Sequence, residues 1–127
     1  MILSLYRRLE RIICTEFSDV VNDTKIIYSY TGRARKLRAF LIDESFVDIW
    51  YSEDGDYAYH WSKEPVSDWI YRCDNAPHQK WNYVRTFPKH CHWETQENVL
   101  ESNLSDKPED AVKEFFAAVR KLMLGLK

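Results

Sequence analysis

The sequence predicts an α+β fold: a curved antiparallel sheet of five or six strands in meander order, packed with an N-terminal and a C-terminal helix. Three observations predict it. Apolar residues recur at helical spacing at both ends of the chain, five short β-branched and aromatic runs lie between them, and the connections are too short for crossovers. At 127 residues the chain has the size of one domain, read here as 1–127, and 45% hydrophobic with 30% charged residues place it among globular proteins.

Taken in order, Ile2, Leu5, Tyr6, Leu9, Ile12 and Ile13 form an apolar stripe, with Arg7, Arg8, Glu10 and Arg11 on the other side, so a helix is expected from Ile2 to Phe17. Asn22 and Asp23 punctuate. Strands are expected at Lys25–Thr31, Lys36–Ile42, Phe46–Ser52, Tyr57–Ser62 and Trp69–Cys73, with a sixth after Pro88 within Thr86–Trp93. The connections around Gly32, Asp43–Ser45, Glu53–Gly55 and Glu64–Ser67 form turns and join neighbours as hairpins. Tyr57, Tyr59 and Trp61 share one face of their strand and Ala58, His60 and Ser62 the other. Asp106, with Pro108 in the first turn and Glu109 three residues on, starts the closing helix. Ala111, Val112, Phe115, Phe116, Val119, Leu122 and Met123 give its stripe, and Gly125 ends it.

Composition excludes several classes. Gly32, Gly55 and Gly125 are too few and too scattered for a glycine-rich phosphate loop, which removes the nucleotide-fold enzymes. Cys14, Cys73 and Cys91 are odd in number and form no CxxC pair, and arginines interrupt the N-terminal apolar stretch that a signal peptide needs unbroken. Free thiols in a reduced, cytoplasmic protein are therefore expected. No apolar run approaches the ~20 residues of a bilayer span, so no membrane partner is expected.

The net charge of −2 says little, but its arrangement says more. Arg33, Arg35, Lys36 and Arg38 form a basic stretch, read as a solvated hairpin, and an acidic stretch follows from Asp43 to Asp56. From Trp69 to Trp93 the chain carries Arg72, Lys80, Arg85 and Lys89 against one acid, Asp74, together with His78, His90 and His92. Acidic residues then resume from Glu94 to Asp110.

That cationic segment fits three chemistries. Imidazoles change charge near neutral pH, so they can deprotonate a ribose hydroxyl and protonate the leaving oxygen of RNA while Arg and Lys stabilise the phosphorane. His90 and His92, at i and i+2 on one face of a strand, can instead chelate a metal with His78 or Asp74. The third reading is structural: Asp74, Asn75 and Pro77 build an Asx-type turn with His78 at its tip. Cys91 should face away from its histidine neighbours as a buried thiol, and Cys14 reads the same way. His60 reads as a satisfied sheet histidine, and Trp50, Trp61 and Trp69 as core. Trp81 and Tyr83, in a polar loop beside basic residues, suit the stacking of unpaired bases.

The run Tyr71-Arg72-Cys73-Asp74-Asn75-Ala76-Pro77-His78, with Thr86-Phe87-Pro88-Lys89-His90-Cys91-His92 after it, resembles the signature of the TumE family of toxin–antitoxin toxins. The likeness extends to the N-terminal helix, the aromatic strand at Tyr57 to Trp61 and the closing helix at Pro108-Glu109-Asp110-Ala111. Gln79 and Lys89 stand where family members often carry histidines. The resemblance implies a toxin restrained by a cognate antitoxin, commonly a helix-turn-helix protein encoded beside it.

The reaction is read from the residues: an endoribonuclease without a cofactor or metal, with His78, His90 and His92 as acid–base groups. Arg72 and Lys89 would contact phosphate, Asp74 and Asn75 would hold the loop and orient an imidazole, and Trp81 would stack a base. Two alternatives stand beside it, a non-catalytic RNA- or protein-binding module and a histidine-coordinated metal-dependent hydrolase. The apolar helix faces suit the sheet or a contact between two copies, so a homodimer is also compatible.

Overall fold

Strict alternation of side chains, repeated strand after strand, is what builds this molecule. The computed structural model describes residues 1–125. Helix α1 (Ile2–Glu16) leads into strands β1 (Val21–Tyr28), β2 (Ala34–Leu41), β3 (Phe46–Tyr51), β4 (Tyr57–Ser62) and β5 (Ile70–Asp74). A 3-10 turn at Gln79–Trp81 interrupts the next connection, and β6 (His90–Glu94), β7 (Val99–Glu101) and helix α2 (Pro108–Met123) complete the chain. The strands form one antiparallel sheet in chain order, β1 to β7.

The α+β meander between two helices is as predicted, with seven strands rather than five or six. Val99–Glu101 escaped prediction because three residues carry too little alternation to register. The first strand starts at Val21, four residues early: Asn22 and Asp23 read as punctuation but sit at a register irregularity between Val21 and Asp23. Asp106 does not cap α2 either. Lys107 takes that position without a side-chain bond, Pro108 occupies the first turn, and Asp106 pairs with Lys89 instead. Beyond the helix, Gly125 adopts φ +66°, a conformation that stops propagation.

One face of the sheet carries the core. Leu37, Ala39, Val47, Ile49, Tyr51, Tyr57, Tyr59, Trp61 and Cys73 alternate inward across β2 to β5 and are buried. The two helices cover that face: Phe115 of α2 stacks on Tyr71 at 5.0 Å between centroids and lies 5.1 Å from Tyr59. Phe17, just past α1, meets Phe116 of α2, and Arg8–Glu109 and Arg120–Asp19 ion pairs fasten the two ends. The opposite face has no helix over it. Residues of the other parity lie there: Lys36, Arg38, Asp48, Trp50, His60, Arg72, Asp74, His90 and His92.

Three expectations about side chains are corrected here. Cys73 and Cys91 face each other across the β5–β6 ladder and form a disulfide, so the expected free, reduced thiols at these positions are not present. Their eighteen-residue separation hid a pairing that only the strand register creates. Cys14, read as a buried thiol, is free and exposed. Trp50, read as core, is 43% exposed on the open face, because it shares the parity of Asp48 and not that of Ile49 and Tyr51.

Candidate functional site

The open face concentrates its polar groups at β5 and β6. Register places Asp74 opposite His90 and Arg72 opposite His92, and extends the second rung through His60 to Asp48. His90 and His92 share the open face because they are two residues apart on one strand, while Cys91 between them turns to the core. The chain from Asn75 to Lys89 connects these two strands. Trp81, at the end of its 3-10 turn, sets its ring edge-on against His92.

Asp74 is 4% exposed and fully engaged. Its Oδ2 accepts a hydrogen bond from Arg72 Nε at 3.0 Å, and its Oδ1 accepts one from the Ala76 amide, closing an Asx turn. The structural reading of this turn is therefore realised, and the turn also points one carboxylate oxygen at an imidazole. His90 Nε2 lies 3.3 Å from Asp74 Oδ1, with the histidine side chain 1% exposed.

Both imidazoles are pinned by backbone carbonyls. His90 Nδ1 lies 2.8 Å from the Pro88 carbonyl and His92 Nδ1 lies 2.7 Å from that of Gln96. A carbonyl only accepts, so each Nδ1 carries the proton and donates it. The lone pair of a neutral ring is thereby fixed on Nε2 in both cases. His90 Nε2 is buried with no hydrogen-bond partner. Burial, partly offset by the Gln96 carbonyl, pushes the His92 pKa below its ordinary value, with the charges of His90 and Arg72 acting in the same direction as burial. Asp74, His90 and His92 each offer one ligand atom, and these three atoms lie within 4.8 Å of one another.

A cleft of about 260 Å³ opens beside this cluster, lined by Trp50, Ala58, Arg72, Asp74, Asn75 and Pro77 among others. Ala58, opposite Trp50 on the neighbouring strand, leaves room above the sheet. Asn75 holds the rim: its Oδ1 accepts from the Tyr57 amide and its Nδ2 donates to the Gly55 carbonyl. Arg72 spends only Nε on Asp74, and its Nη groups make no hydrogen bond among the described residues.

The other expected residues sit farther out. His78 is exposed just before the 3-10 turn, and its ring takes no part in the contacts that unite Asp74, His90 and His92. Lys89 is three-quarters covered and paired with Asp106 at 3.4 Å. Trp81 is half-buried against His92, with the Lys80 ammonium 5.0 Å above its ring. Sequence reasoning missed Trp50 as a cleft residue. Its parity with Asp48 was the available signal, overridden by the habit of assigning strand tryptophans to the core.

Comparison with known proteins adds one result. The family model described as Toxin TumE matches residues 8–123. No curated protein and no solved structure matches the chain.

Proposed function

The chain belongs to the TumE toxin family, and from that premise we propose that it acts by cleaving RNA, with Asp74, His90 and His92 as the reacting centre. The observation that carries this reading is the pair of imidazoles locked at Nδ1 by carbonyls, beside an aspartate, Asp74, that lines a cleft together with Arg72 and Trp50.

Such a pair suits transesterification. His92, with its lone pair on Nε2, takes the proton from a ribose 2′-hydroxyl, and the freed oxygen attacks the adjacent phosphorus. The bond from phosphorus to the 5′-oxygen breaks. His90 lies between two acceptors, Pro88 O and Asp74 Oδ1, an arrangement satisfied by a ring protonated on both nitrogens, and it returns a proton to the leaving oxygen. The products are a 2′,3′-cyclic phosphate and a 5′-hydroxyl. Arg72 faces the charge that develops on the phosphorane, and Trp50 offers a stacking surface for an unpaired base. Trp81, over His92, and His78, one residue beyond Pro77, contact the flanking strand. Asn75 keeps the rim in place, and Lys89, next to His90 in the chain, contributes electrostatically.

An RNA target implies action in the cytoplasm, where disulfides are uncommon. The centre does not depend on Cys73–Cys91, because the β5–β6 ladder itself sets the register of Asp74 against His90. No helix among the described residues is long and apolar enough to cross a membrane. Membership of a toxin family implies a partner antitoxin, for which a helix-turn-helix protein encoded next to the toxin is the proposed identity. The decisive experiment incubates purified protein with single-stranded RNA in chelator and analyses the ends. Cyclic phosphate termini that vanish in His92→Ala support the reading, and cleavage surviving in His78→Ala, His90→Ala and His92→Ala alike overturns it.

A further inference from the structure

We propose that Asp74 Oδ1, His90 Nε2 and His92 Nε2 form a binding site for one divalent transition-metal ion of the zinc class. The inference shares its atoms with the proton-transfer reading above but does not depend on RNA being the substrate.

The geometry has four parts. Two ligands about 2.0–2.1 Å from a tetrahedral ion stand ~3.3–3.4 Å apart, and His90 Nε2 stands 3.3 Å from Asp74 Oδ1. The donor of His92 lies within 4.8 Å of the other two, close enough for one ion to draw the three together. Each imidazole already donates its Nδ1–H to a backbone carbonyl, the outer contact that fixes the tautomer of a metal-bound histidine and raises its basicity. The carboxylate is likewise anchored by Arg72 and the Ala76 amide.

A second observation points to an occupant. His90 Nε2 is buried, has no hydrogen-bond partner and faces a carboxylate oxygen. Leaving a neutral nitrogen lone pair against an anionic oxygen in a dry site is unfavourable, and a proton or a cation between them removes the conflict. The two nitrogens with one carboxylate oxygen select zinc, copper or nickel over magnesium or calcium. Since Nε2 is also the atom through which each ring would exchange protons with substrate, a bound ion and acid–base turnover exclude one another. The site is thus a brake on the reaction proposed above.

The test uses the full chain, stripped with chelator and titrated with Zn²⁺ by calorimetry in the absence of RNA, with visible absorption of Co²⁺ as a second reading of the ligand set. One ion per chain is expected. Binding should weaken by more than about tenfold in His92→Ala and in Asp74→Asn, since even outer-shell partners of a metal are worth that much. It should persist in His60→Ala and in Cys14→Ser, which removes the exposed thiol. Circular dichroism confirms that the variants are folded, and because Asp74 anchors a turn, His92→Ala carries the conclusion if Asp74→Asn does not fold. Absence of saturable binding, or binding that survives in both site variants, overturns the site. An RNA cleavage assay separates the two ideas: cleavage without any metal binding leaves the ribonuclease reading standing alone, whereas a stoichiometric ion that cleavage requires upholds the site and overturns the acid–base assignment.

Discussion

Trp81 stands edge-on to His92, with ring centroids 5.6 Å apart and planes at 77°. The indole belongs to the β5–β6 connection and the imidazole to the sheet, so this contact is where the loop closes over the centre. Trp81→Ala is expected to weaken binding of a single-stranded RNA oligonucleotide by about 1–3 kcal/mol, the worth of one base-stacking aromatic, with little loss of thermal stability. Fluorescence anisotropy with a labelled oligonucleotide, beside a melting curve, checks both halves.

The three histidines should separate by position. His90→Ala and His92→Ala are each expected to lower RNA cleavage by about a hundredfold or more, whereas His78→Ala, exposed and outside the cluster, should cost less than about tenfold. Stability should separate them too. Truncating His90 removes its bond to the Pro88 carbonyl in a site 1% exposed, at about 1–3 kcal/mol, while His78→Ala should stay within about 0.5 kcal/mol. Single-turnover kinetics and urea titration of the three variants measure this.

Acid should loosen the open face through Asp48. Burial opposes its ionisation, but hydrogen bonds from Arg38 and Lys36 outweigh that and hold its carboxyl below the usual range. A carboxyl whose folded pKa is depressed stabilises the fold fully above its unfolded value, about 3.9, and loses that contribution as pH falls through the folded value. Asp48→Asn is therefore expected to lower the Tm near neutrality and to flatten its decline below about pH 4. Melting curves from neutral to strongly acidic pH show whether it does.

The core has its own test in Phe115, which is 1% exposed and packs against Tyr59, Tyr71 and Phe116. Phe115→Ala should cost about 3–5 kcal/mol, because the surrounding rings are held by the sheet and cannot collapse into the void. Urea denaturation gives the value. A loss under about 1 kcal/mol would mean that α2 does not seal this face.

The sequence carried its long elements well because their periodicity is strong. Ile2 to Ile13 and Ala111 to Met123 can be read from apolar spacing alone, and Tyr57, Tyr59 and Trp61 announce a one-sided strand. Elements set by tertiary pairing were less legible. Val99–Glu101 is a strand only because His90–His92 offers it a partner, and Trp50 is exposed only because the helices cover the other face. The site followed the same division. His90 and His92 share a face by simple alternation, and a hairpin between the two strands sets Arg72 and Asp74 opposite them; which of the two meets which histidine follows from a register that no local pattern fixes. The carbonyls of Pro88 and Gln96, which decide what the imidazoles can do, belong to backbone and leave no mark in residue identity.

The link between Cys73 and Cys91 closes residues 73–91 into a covalent ring, and most of the candidate site rides on it: Asp74, Asn75, His78, Trp81, Lys89 and His90 are all members. A protease that enters at the exposed Gln79–Lys80 or Tyr83 would nick the ring without releasing a fragment. The two pieces would migrate as one chain on a non-reducing gel and part only when thiol is added. In its oxidised form, then, the protein carries an exposed stretch, Pro77 to Lys80, inside a loop that survives being cut.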